Sequence, residues 1–240
     1  MSGTSEQSER TFATIDPVEP LQGTLLGGHE PRLASAPAFE RIRLDAHSWV
    51  DVAREWLLGA DAVCEHLVQT VPWRQSRRKM YGEIVDEPRL SKWSGRTDPL
   101  PHPVFAPVRT ALEERYLARL GGFGMNYYRN GRDSVAWHRD AEMRNLDRTL
   151  VAIVTLGAAR PFLVRPHGGG PSVDVHPASG DLLVMGGRAQ AEWEHAVPKV
   201  ASCGPRISVM LRWSSGKGAP VRNAGWARAG SHPARSTRSR

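Results

Sequence analysis

Cysteine and long apolar runs are scarce in this sequence of 240 residues. Its two cysteines, Cys64 and Cys203, are too few for a disulfide framework and show no metal-ligand spacing. The longest apolar stretch, 150–159, is interrupted by Thr155 and Gly157. Because a membrane-spanning helix needs ~20 apolar residues, no such segment is predicted.

The N-terminal end lacks the pattern of a secretory signal. Its first thirty residues contain five acidic side chains and no continuous apolar block. We therefore expect a cytoplasmic protein in which both cysteines are reduced and neither is catalytic.

Acidic residues are absent from 214–240, which contains six basic residues. The formal net charge is +7, but the chain before this tail carries 26 basic and 25 acidic residues. Most of the excess positive charge therefore belongs to the tail, where we expect it to attract phosphate groups without sequence preference.

The size and composition are those of one folded domain with two extensions. The mass is 26.5 kDa, and 40% of the residues are hydrophobic, which suffices for a sizeable core. Residues 1–38 and 214–240 are rich in Ser, Thr, Pro or Gly and lack apolar periodicity, so both are predicted to be flexible. The folded domain is expected over 39–213.

Two amphipathic helices followed by about eight strands predict an α+β protein with a mainly β core, a sandwich or a barrel. Helical spacing of apolar residues predicts helices at 45–58 and 108–120. Asn130-Gly131 predicts a tight hairpin between the first two strands, because such a turn requires positive φ. The predicted strands are 123–129, 134–138, 149–155, 161–164, 172–175, 181–185, 192–197 and 206–213.

A candidate metal site begins with His138 and Asp140. Residues two apart in extended chain share one face, so these side chains can act together. His195 lies on a late strand that a barrel would bring back against the early one. Two imidazoles and one carboxylate are the ligand set of non-haem Fe(II) oxygenases. Three protein ligands and a water also suit zinc, and the ligand types do not decide between the metals.

The last predicted strand indicates an anion site. Alternation puts Arg206, Ser208, Met210 and Arg212 on one face, with the apolar side chains on the other. Two inward arginines beside a metal require an anionic partner, because unpaired buried charge is costly, and a dicarboxylate co-substrate would supply it. The alternative is a surface strand with two solvated arginines.

Several ordered segments together resemble the AlkB family of iron and 2-oxoglutarate dependent dioxygenases. The similarity covers about residues 70–213. The segments are Arg-Lys-Met-Tyr-Gly at 78–82, Pro-Arg-Leu-Ser-Lys-Trp at 88–93, Asn-Tyr-Tyr-Arg-Asn-Gly at 126–131, Asp-Ser-Val-Ala-Trp-His-Arg-Asp-Ala-Glu at 133–142, Gly-Asp-Leu-Leu-Val-Met at 180–185, Trp-Glu-His-Ala-Val-Pro-Lys at 193–199 and the strand 206–212.

The resemblance implies a double-stranded β-helix, or jelly roll, with N-terminal helices packed on the sheet and a lid at about 70–100. It implies Fe(II) on His138, Asp140 and His195, with 2-oxoglutarate and O2 as co-substrates. Arg206 would pair with the far carboxylate of 2-oxoglutarate. Tyr128 would assist it, Asn126 and Arg212 would lie near the carboxylate that chelates iron, and Ser208 would face the same pocket.

The implied reaction is oxidative demethylation of alkylated DNA bases of the 1-methyladenine and 3-methylcytosine type, releasing formaldehyde, succinate and CO2. The methyl group lies on the pairing edge, so the base must be flipped out or unpaired. The resemblance also implies a substrate-facing set, which consists of Trp73, Arg78, Tyr81, Arg89, Trp93, Trp137 and Glu142. The aromatic residues of this set would stack on the base, its arginines suit phosphates, and its glutamate would read the exocyclic amine.

Plain core packing is the alternative for each aromatic residue, and a solvated loop for the basic run at 74–79.

Met210, Ser208 and Ala141 depart from the family pattern, which bears on co-substrate affinity and lesion preference. The segment between Trp73 and Tyr81 is predicted to be a short loop without a finger for opening duplex, which favours single-stranded substrate. We expect a monomer. The rival hypotheses are the same chemistry on RNA or another substrate, and a catalytically silent nucleic-acid-binding barrel.

Overall fold

A computed structural model of the chain describes residues 30–80 and 83–215, with the backbone alone at 78–80. These residues form fourteen strands and three helices, none of the helices being long and apolar enough to cross a membrane. The strands are β1 (Arg32–Leu33), β2 (Glu40–Arg43), β3 (Ser48–Ala53), β4 (Leu57–Leu58), β5 (Arg74–Met80), β6 (Glu83–Ser94), β7 (Phe123–Tyr128), β8 (Val135–His138), β9 (Thr149–Gly157), β10 (Leu163–Pro166), β11 (Val173–Asp174), β12 (Leu182–Gly187), β13 (Trp193–Val197) and β14 (Arg206–Ser214). The helices are α1 (Ala60–Thr70), α2 (Phe105–Tyr116) and α3 (Ala189–Glu192).

Two antiparallel sheets form the core of the described region. The large sheet has the order β2-β3-β12-β9-β14-β7-β6-β5, and the small sheet has the order β11-β10-β13-β8. Apolar side chains from both sheets, such as Ile153 and Met185 of the large one and Val164 and Val197 of the small one, pack in one cluster. Such a double antiparallel sheet confirms the predicted jelly-roll core.

Helices α1 and α2 cover the other face of the large sheet. Val63 and Leu67 of α1 and Val108 and Leu112 of α2 join a second apolar cluster with alternate residues of β9, β12 and β14. The central strands are consequently buried on both faces, as their continuous apolar runs predict. The face of the large sheet that points toward the small sheet borders the space in which the candidate site lies.

Strand β14 shows the predicted alternation. Ile207, Val209 and Leu211 point into the helix-covered cluster, whereas Met210 belongs to the cluster between the sheets. The eight strands predicted from Phe123 onward correspond to β7–β14, with ends that differ by at most two residues. This half of the fold is confirmed.

The predicted helix at 45–58 is wrong. The segment contains β3, which pairs with β2 and β12, and β4. Val50 and Val52 occupy alternate positions and face the inter-sheet cluster. The segment forms a strand because it pairs with β2 and β12, and the helical spacing of its own apolar residues does not reveal these partners. The helix begins one segment later, after Gly59 in the left-handed conformation, as α1.

The second predicted helix is confirmed with shifted ends. It runs from Phe105 to Tyr116, and Leu117 at φ 48° ends it in the left-handed conformation. Leu120, which continues the apolar spacing, therefore lies beyond the helix and packs in the same cluster.

The predicted hairpin at Asn130-Gly131 is also wrong. Strand β7 belongs to the large sheet and β8 to the small sheet, so this turn carries the chain across the sandwich. Asn130 accepts a hydrogen bond from the backbone N–H of Arg132 at 3.0 Å. A Cβ on Gly131 would lie 2.4 Å from the Val200 carbonyl oxygen, so close backbone approach, rather than positive φ, requires the glycine.

Residues 74–80 form a strand rather than the short loop that was predicted between Trp73 and Tyr81. Strands β5 and β6 pair from Arg74↔Ser91 to Met80↔Glu83 and form a two-stranded ribbon at the edge of the large sheet. Ile84 and Val85 on this ribbon are 61% and 38% exposed. The basic run at 74–79, for which a solvated loop was the alternative, is paired with β6.

The start of the described region lies within the predicted N-terminal extension. Arg32–Leu33 pairs with β4, and Leu33 packs against the helix-covered cluster. These contacts attach the residues just before 39 to the domain.

We predict that Gly180→Ala destabilises the protein by ~3 kcal/mol, because Gly180 has φ +85° and its Cβ would lie 2.4 Å from the Leu57 carbonyl oxygen. Gly168→Ala is the matched control. Gly168 has a similar φ of +90° but open space around its Cβ position, so we expect a loss of ~1 kcal/mol. Urea unfolding of both variants measures the difference, and equal losses would contradict the contact with Leu57.

Candidate functional site

Strand pairing brings the three predicted metal ligands together. The register of β13 against β8 places His195 opposite His138, with ring centroids 4.2 Å apart. Asp140 follows β8, and its Oδ1 lies 3.9 Å from His138 Nε2. One donor atom of each residue lies within 4.8 Å of the other two. The three side chains are close enough to share one ion.

The ring of His138 is oriented by the backbone. Its Nδ1 lies 2.9 Å from the Ala136 carbonyl oxygen. Because a carbonyl only accepts hydrogen bonds, Nδ1 must carry the proton, which leaves the lone pair on Nε2, the atom that faces Asp140. A hydrogen bond on the far ring nitrogen is the usual way in which proteins fix a metal-binding histidine.

Two neighbours hold Asp140 in place. Gln190 Oε1 accepts a hydrogen bond from the Asp140 backbone N–H at 2.9 Å. Arg212 Nε donates to Oδ2 at 2.7 Å. Oδ2 is therefore occupied by the guanidinium, and Oδ1 is the oxygen turned toward His138.

His195 is buried, and its ring stacks on Phe162 at a centroid distance of 5.5 Å. Its Nδ1 is buried without a hydrogen-bond partner among the described residues. A buried imidazole nitrogen without a partner is costly unless the site holds something else.

The protonation states of the cluster suit a cation. Burial, followed by repulsion from His138, lowers the pKa of His195 to about 3. Burial also lowers the pKa of His138. Burial alone would raise the pKa of Asp140, but the charge of Arg212 and the two imidazoles hold it below its ordinary value. At neutral pH the cluster offers two neutral imidazoles and one carboxylate, the forms that bind metals.

The residues present fit a ferrous ion. Two histidines and one carboxylate on one side of an open cavity form the facial triad of non-haem iron oxygenases. The orphaned Nδ1 of His195 and the oriented ring of His138 agree with a metal-binding role. Zinc would accept the same donors, so the choice of metal depends on what lies beside them.

Strand β14, which carries Arg212, also carries a buried positive charge without an anionic partner among the described residues. Arg206 is fully buried, and within the described part of the chain its guanidinium forms one weak hydrogen bond, from Nη2 to Thr155 Oγ1 at 3.4 Å. Nε and Nη1 have no partner among the described residues, and the guanidinium lies 5.6 Å from the ring centre of Tyr128. Burial lowers the pKa of Arg206 to about 10, so it remains charged at neutral pH. The site therefore has an arginine that lacks an anion.

The metal cluster and most of the predicted site residues line one cavity of about 690 Å³ between the sheets. Arg206 does not line it but contacts Tyr128, which does. The lining includes all four remaining co-substrate residues and four of the substrate-facing set. These residues are Asn126, Tyr128, Ser208 and Arg212, and Arg89, Trp93, Trp137 and Glu142.

Trp73 is separated from this cavity. Its ring packs against Tyr127 at a centroid distance of 5.2 Å and against the helix-covered cluster, and Nε1 donates to the Leu67 carbonyl at 3.1 Å. Its contacts are those of a core residue on the opposite face of the large sheet. The Arg78 side chain and Tyr81 lie outside the described residues.

Other contacts at the site carry no signal in the sequence. Gln190, which positions Asp140, lies five residues before His195 in no recognisable motif. Arg165 stacks on Trp137 at 3.9 Å and donates from Nε to Glu194 at 2.6 Å. His167, another imidazole of the cavity, lies 3.4 Å from Glu194 and is not part of the metal cluster.

Comparisons with known proteins agree with this geometry. A family model described as the 2OG-Fe(II) oxygenase superfamily matches residues 122–214, which contain all three cluster residues and both arginines. Among solved structures, a prolyl hydroxylase in complex with a hypoxia inducible factor peptide from Trichoplax adhaerens has a TM-score of 0.53 at 11% identity, covering 70% of this chain and 84% of that one. This likeness concerns the fold.

Curated relatives narrow the class. Alpha-ketoglutarate-dependent dioxygenase alkB homolog 3 of Mus musculus is 32% identical over 90% of this chain and 83% of its own length. The Homo sapiens protein of that name is 33% identical over 67% and 64%. DNA oxidative demethylase ALKBH2 of Homo sapiens is 31% identical over 78% and 79%. The chain spans slightly less than two thirds of the human and bovine alkB homolog 3 sequences, at 64% and 62%.

The fold, the His-Asp-His cluster and the matched family model together define an oxygenase domain of the type that uses Fe(II) and 2-oxoglutarate. Within that class, the chain belongs to the AlkB family.

We predict that Asp140→Ala and His195→Ala each weaken Mn(II) binding by ~100-fold or more, since each removes one donor from the cluster. His167→Ala is the control, because His167 lines the same cavity but contacts Glu194. Mn(II) titration followed by electron paramagnetic resonance measures all three. Equal weakening by His167→Ala, or unchanged binding by Asp140→Ala, would show that the metal lies elsewhere.

Arg206→Met should separate stability from co-substrate binding. Replacing an unpaired buried charge by an apolar side chain should stabilise the free protein by ~1–3 kcal/mol and abolish 2-oxoglutarate binding. Arg160 is equally buried, but it donates to the carbonyls of Asn130, Asp133 and Pro198. Arg160→Met leaves those carbonyls without partners and should destabilise by ~2–4 kcal/mol.

Denaturant unfolding and calorimetric titration with 2-oxoglutarate in the presence of Mn(II) test this pair. A destabilised Arg206→Met protein, or one that retains wild-type affinity for 2-oxoglutarate, refutes the role given to Arg206.

Proposed function

We propose that this protein is an Fe(II)/2-oxoglutarate-dependent dioxygenase that demethylates N-alkylated bases of the 1-methyladenine and 3-methylcytosine type in DNA. Two observations carry the proposal: the His-Asp-His cluster lines the cavity, and an unpaired buried arginine contacts Tyr128 of the cavity wall. The relatives named alpha-ketoglutarate-dependent dioxygenase and DNA oxidative demethylase support the chemistry and the substrate class.

The co-substrate is held by this chain's own cations and polar groups. Arg206 supplies the unpaired guanidinium for the far carboxylate of 2-oxoglutarate, and the buried Tyr128 beside it supplies a phenol. Asn126, Ser208 and Arg212 line the cavity nearer the cluster and serve the other end of the diacid. Charge-assisted hydrogen bonds of this kind discriminate a dicarboxylate from neutral molecules of similar size.

Iron, when bound, activates O2 with the keto acid to give an oxidant strong enough to break a C–H bond of a methyl group, with succinate and CO2 as products. His138, Asp140 and His195 hold the iron, and Arg212 keeps Asp140 ionised and fixes its orientation.

The mouth of the cavity suits a nucleobase. Trp93 and Trp137 line it as aromatic surfaces for stacking, and Arg89 carries positive charge there, held by Glu87 at 2.9 Å. Glu142 provides a carboxylate that accepts hydrogen bonds from an exocyclic amine. Because a methyl group on the pairing edge is hidden in a duplex, the base must enter unpaired or flipped.

The preference for single-stranded substrate was predicted from a short loop without a finger for opening duplex, and the β5–β6 ribbon takes the place of that loop. Ile84 and Val85 are exposed apolar side chains on a projecting ribbon, and proteins that open duplexes insert such side chains between base steps. We propose that the ribbon contacts nucleic acid beside the lesion.

The protein acts in this proposal as a cytoplasmic monomer.

The decisive experiment incubates the protein with Fe(II), 2-oxoglutarate, O2 and oligonucleotides containing 1-methyladenine or 3-methylcytosine. We expect mass spectrometry to show loss of the methyl group with equimolar succinate, and no loss with His195→Ala. The same lesion in RNA distinguishes the sugar. Binding of the oligonucleotide without succinate formation would identify a silent binding protein instead.

The ribbon is tested with Ile84→Ala/Val85→Ala. We expect activity on a lesion in duplex DNA to fall by ~10-fold while activity on the same lesion in a single strand stays unchanged, because unstacking a base pair costs a few kcal/mol. Equal losses on both substrates would contradict a role in opening duplex.

A further inference from the structure

Trp93 lies across three paired strands of the large sheet. The register aligns Trp93 of β6 with Gly124 of β7, and Gly124 with Met210 of β14. A Cβ on Gly124 would lie 2.6 Å from the Trp93 ring, so the ring rests directly on the glycine backbone. Because position 124 has no side chain, the indole can lie against the backbone of the sheet.

The Trp93 ring is in turn a support for Arg212. The Arg212 guanidinium carbon lies 4.6 Å from the ring centroid, and Arg212 stands two residues after Met210 on the same face of β14. Arg212 Nη2 also lies 3.7 Å from the Met210 sulfur. The guanidinium is therefore held by an aromatic face and a thioether, and neither of them compensates its charge.

The charge of Arg212 is directed at a metal ligand. Nε donates to Asp140 Oδ2 at 2.7 Å, which leaves Oδ1 toward His138. Any displacement of Arg212 frees Oδ2 and lets the carboxylate rotate. The position of the guanidinium therefore determines which oxygen Asp140 offers to the cluster.

Exposure decreases along this series of contacts. Trp93 is 56% exposed, whereas the side chains of Arg212 and Asp140 are 16% and 8% exposed. The outer residue is accessible to a large substrate, and the inner residue is a metal ligand. We propose that Trp93 is a positioning residue that acts through Arg212 on Asp140, so that a substrate covering Trp93 tightens the metal site.

A second stack of the same construction supplies a control. Trp49 rests on Gly186, whose Cβ would lie 2.1 Å from the ring, and carries the Arg41 guanidinium at 3.9 Å. Arg41 donates to both oxygens of Asp51. This group lies at the β2–β3 edge and does not line the cavity, so it repeats the contacts without the metal ligand.

The first arm of the test measures Mn(II) affinity without nucleic acid and without turnover. We expect Trp93→Ala to weaken Mn(II) binding about fivefold, Trp93→Phe to restore it, and Trp49→Ala to leave it unchanged. In an Arg212→Gln background, Trp93→Ala should have no further effect, because the interaction runs through the arginine. Unchanged affinity in Trp93→Ala, or equal weakening in Trp49→Ala, would overturn the proposal.

The second arm rests on the proposed function. A 1-methyladenine oligonucleotide should tighten Mn(II) binding about fivefold in the wild-type protein and not in Trp93→Ala, since coupling between two ligands is reciprocal. Equal tightening in both proteins would overturn the coupling through Trp93. An oligonucleotide that does not bind the wild-type protein would contradict the proposed function, and the first arm would still decide the role of Trp93.

Discussion

The register between β8 and β13 is the constraint on which the site depends. It places His195 opposite His138, and the turn after β8 adds Asp140 within reach. A register shift of one residue would turn either imidazole to the opposite face of the small sheet, and the three donor atoms would no longer lie close together. The large sheet fixes the rest, because β14 lies beside β7 and presents Arg206 and Arg212 on the face that meets the small sheet.

Buried positive charge is the cost of this arrangement. The guanidinium groups of Arg206 and Arg160 lie 5.6 and 5.5 Å from the Tyr128 ring centre, and neither forms an ion pair among the described residues. Arg160 is compensated by three carbonyl oxygens, whereas Arg206 keeps two nitrogens free. An apolar side chain at 206 would make a more stable fold. In the proposed site, this loss of stability is the cost of keeping a charge that can bind an anion.

The sequence predicted the parts of the molecule that local patterns determine. Alternation in β14 indicated the two arginines, the His-x-Asp spacing indicated two candidate ligands, and the late predicted strand indicated His195 as the third. The helix at 45–58 was wrong because Val50 and Val52 form a strand only when β2 and β12 flank it, and Asn130-Gly131 was misread because its turn joins two sheets. Gln190 and the Trp93 contact to Arg212 arise from distant chain segments, so no local pattern reveals them.

In the proposed site, three side chains hold one metal ion and a buried arginine binds a diacid. A crystal structure of the protein grown with Mn(II) and 2-oxoglutarate without oxygen is the sharpest test. We expect one ion bonded to His138, Asp140 and His195, chelated by the keto acid, whose far carboxylate reaches Arg206. An ion that misses any of the three residues, or a diacid bound away from Arg206, would contradict it.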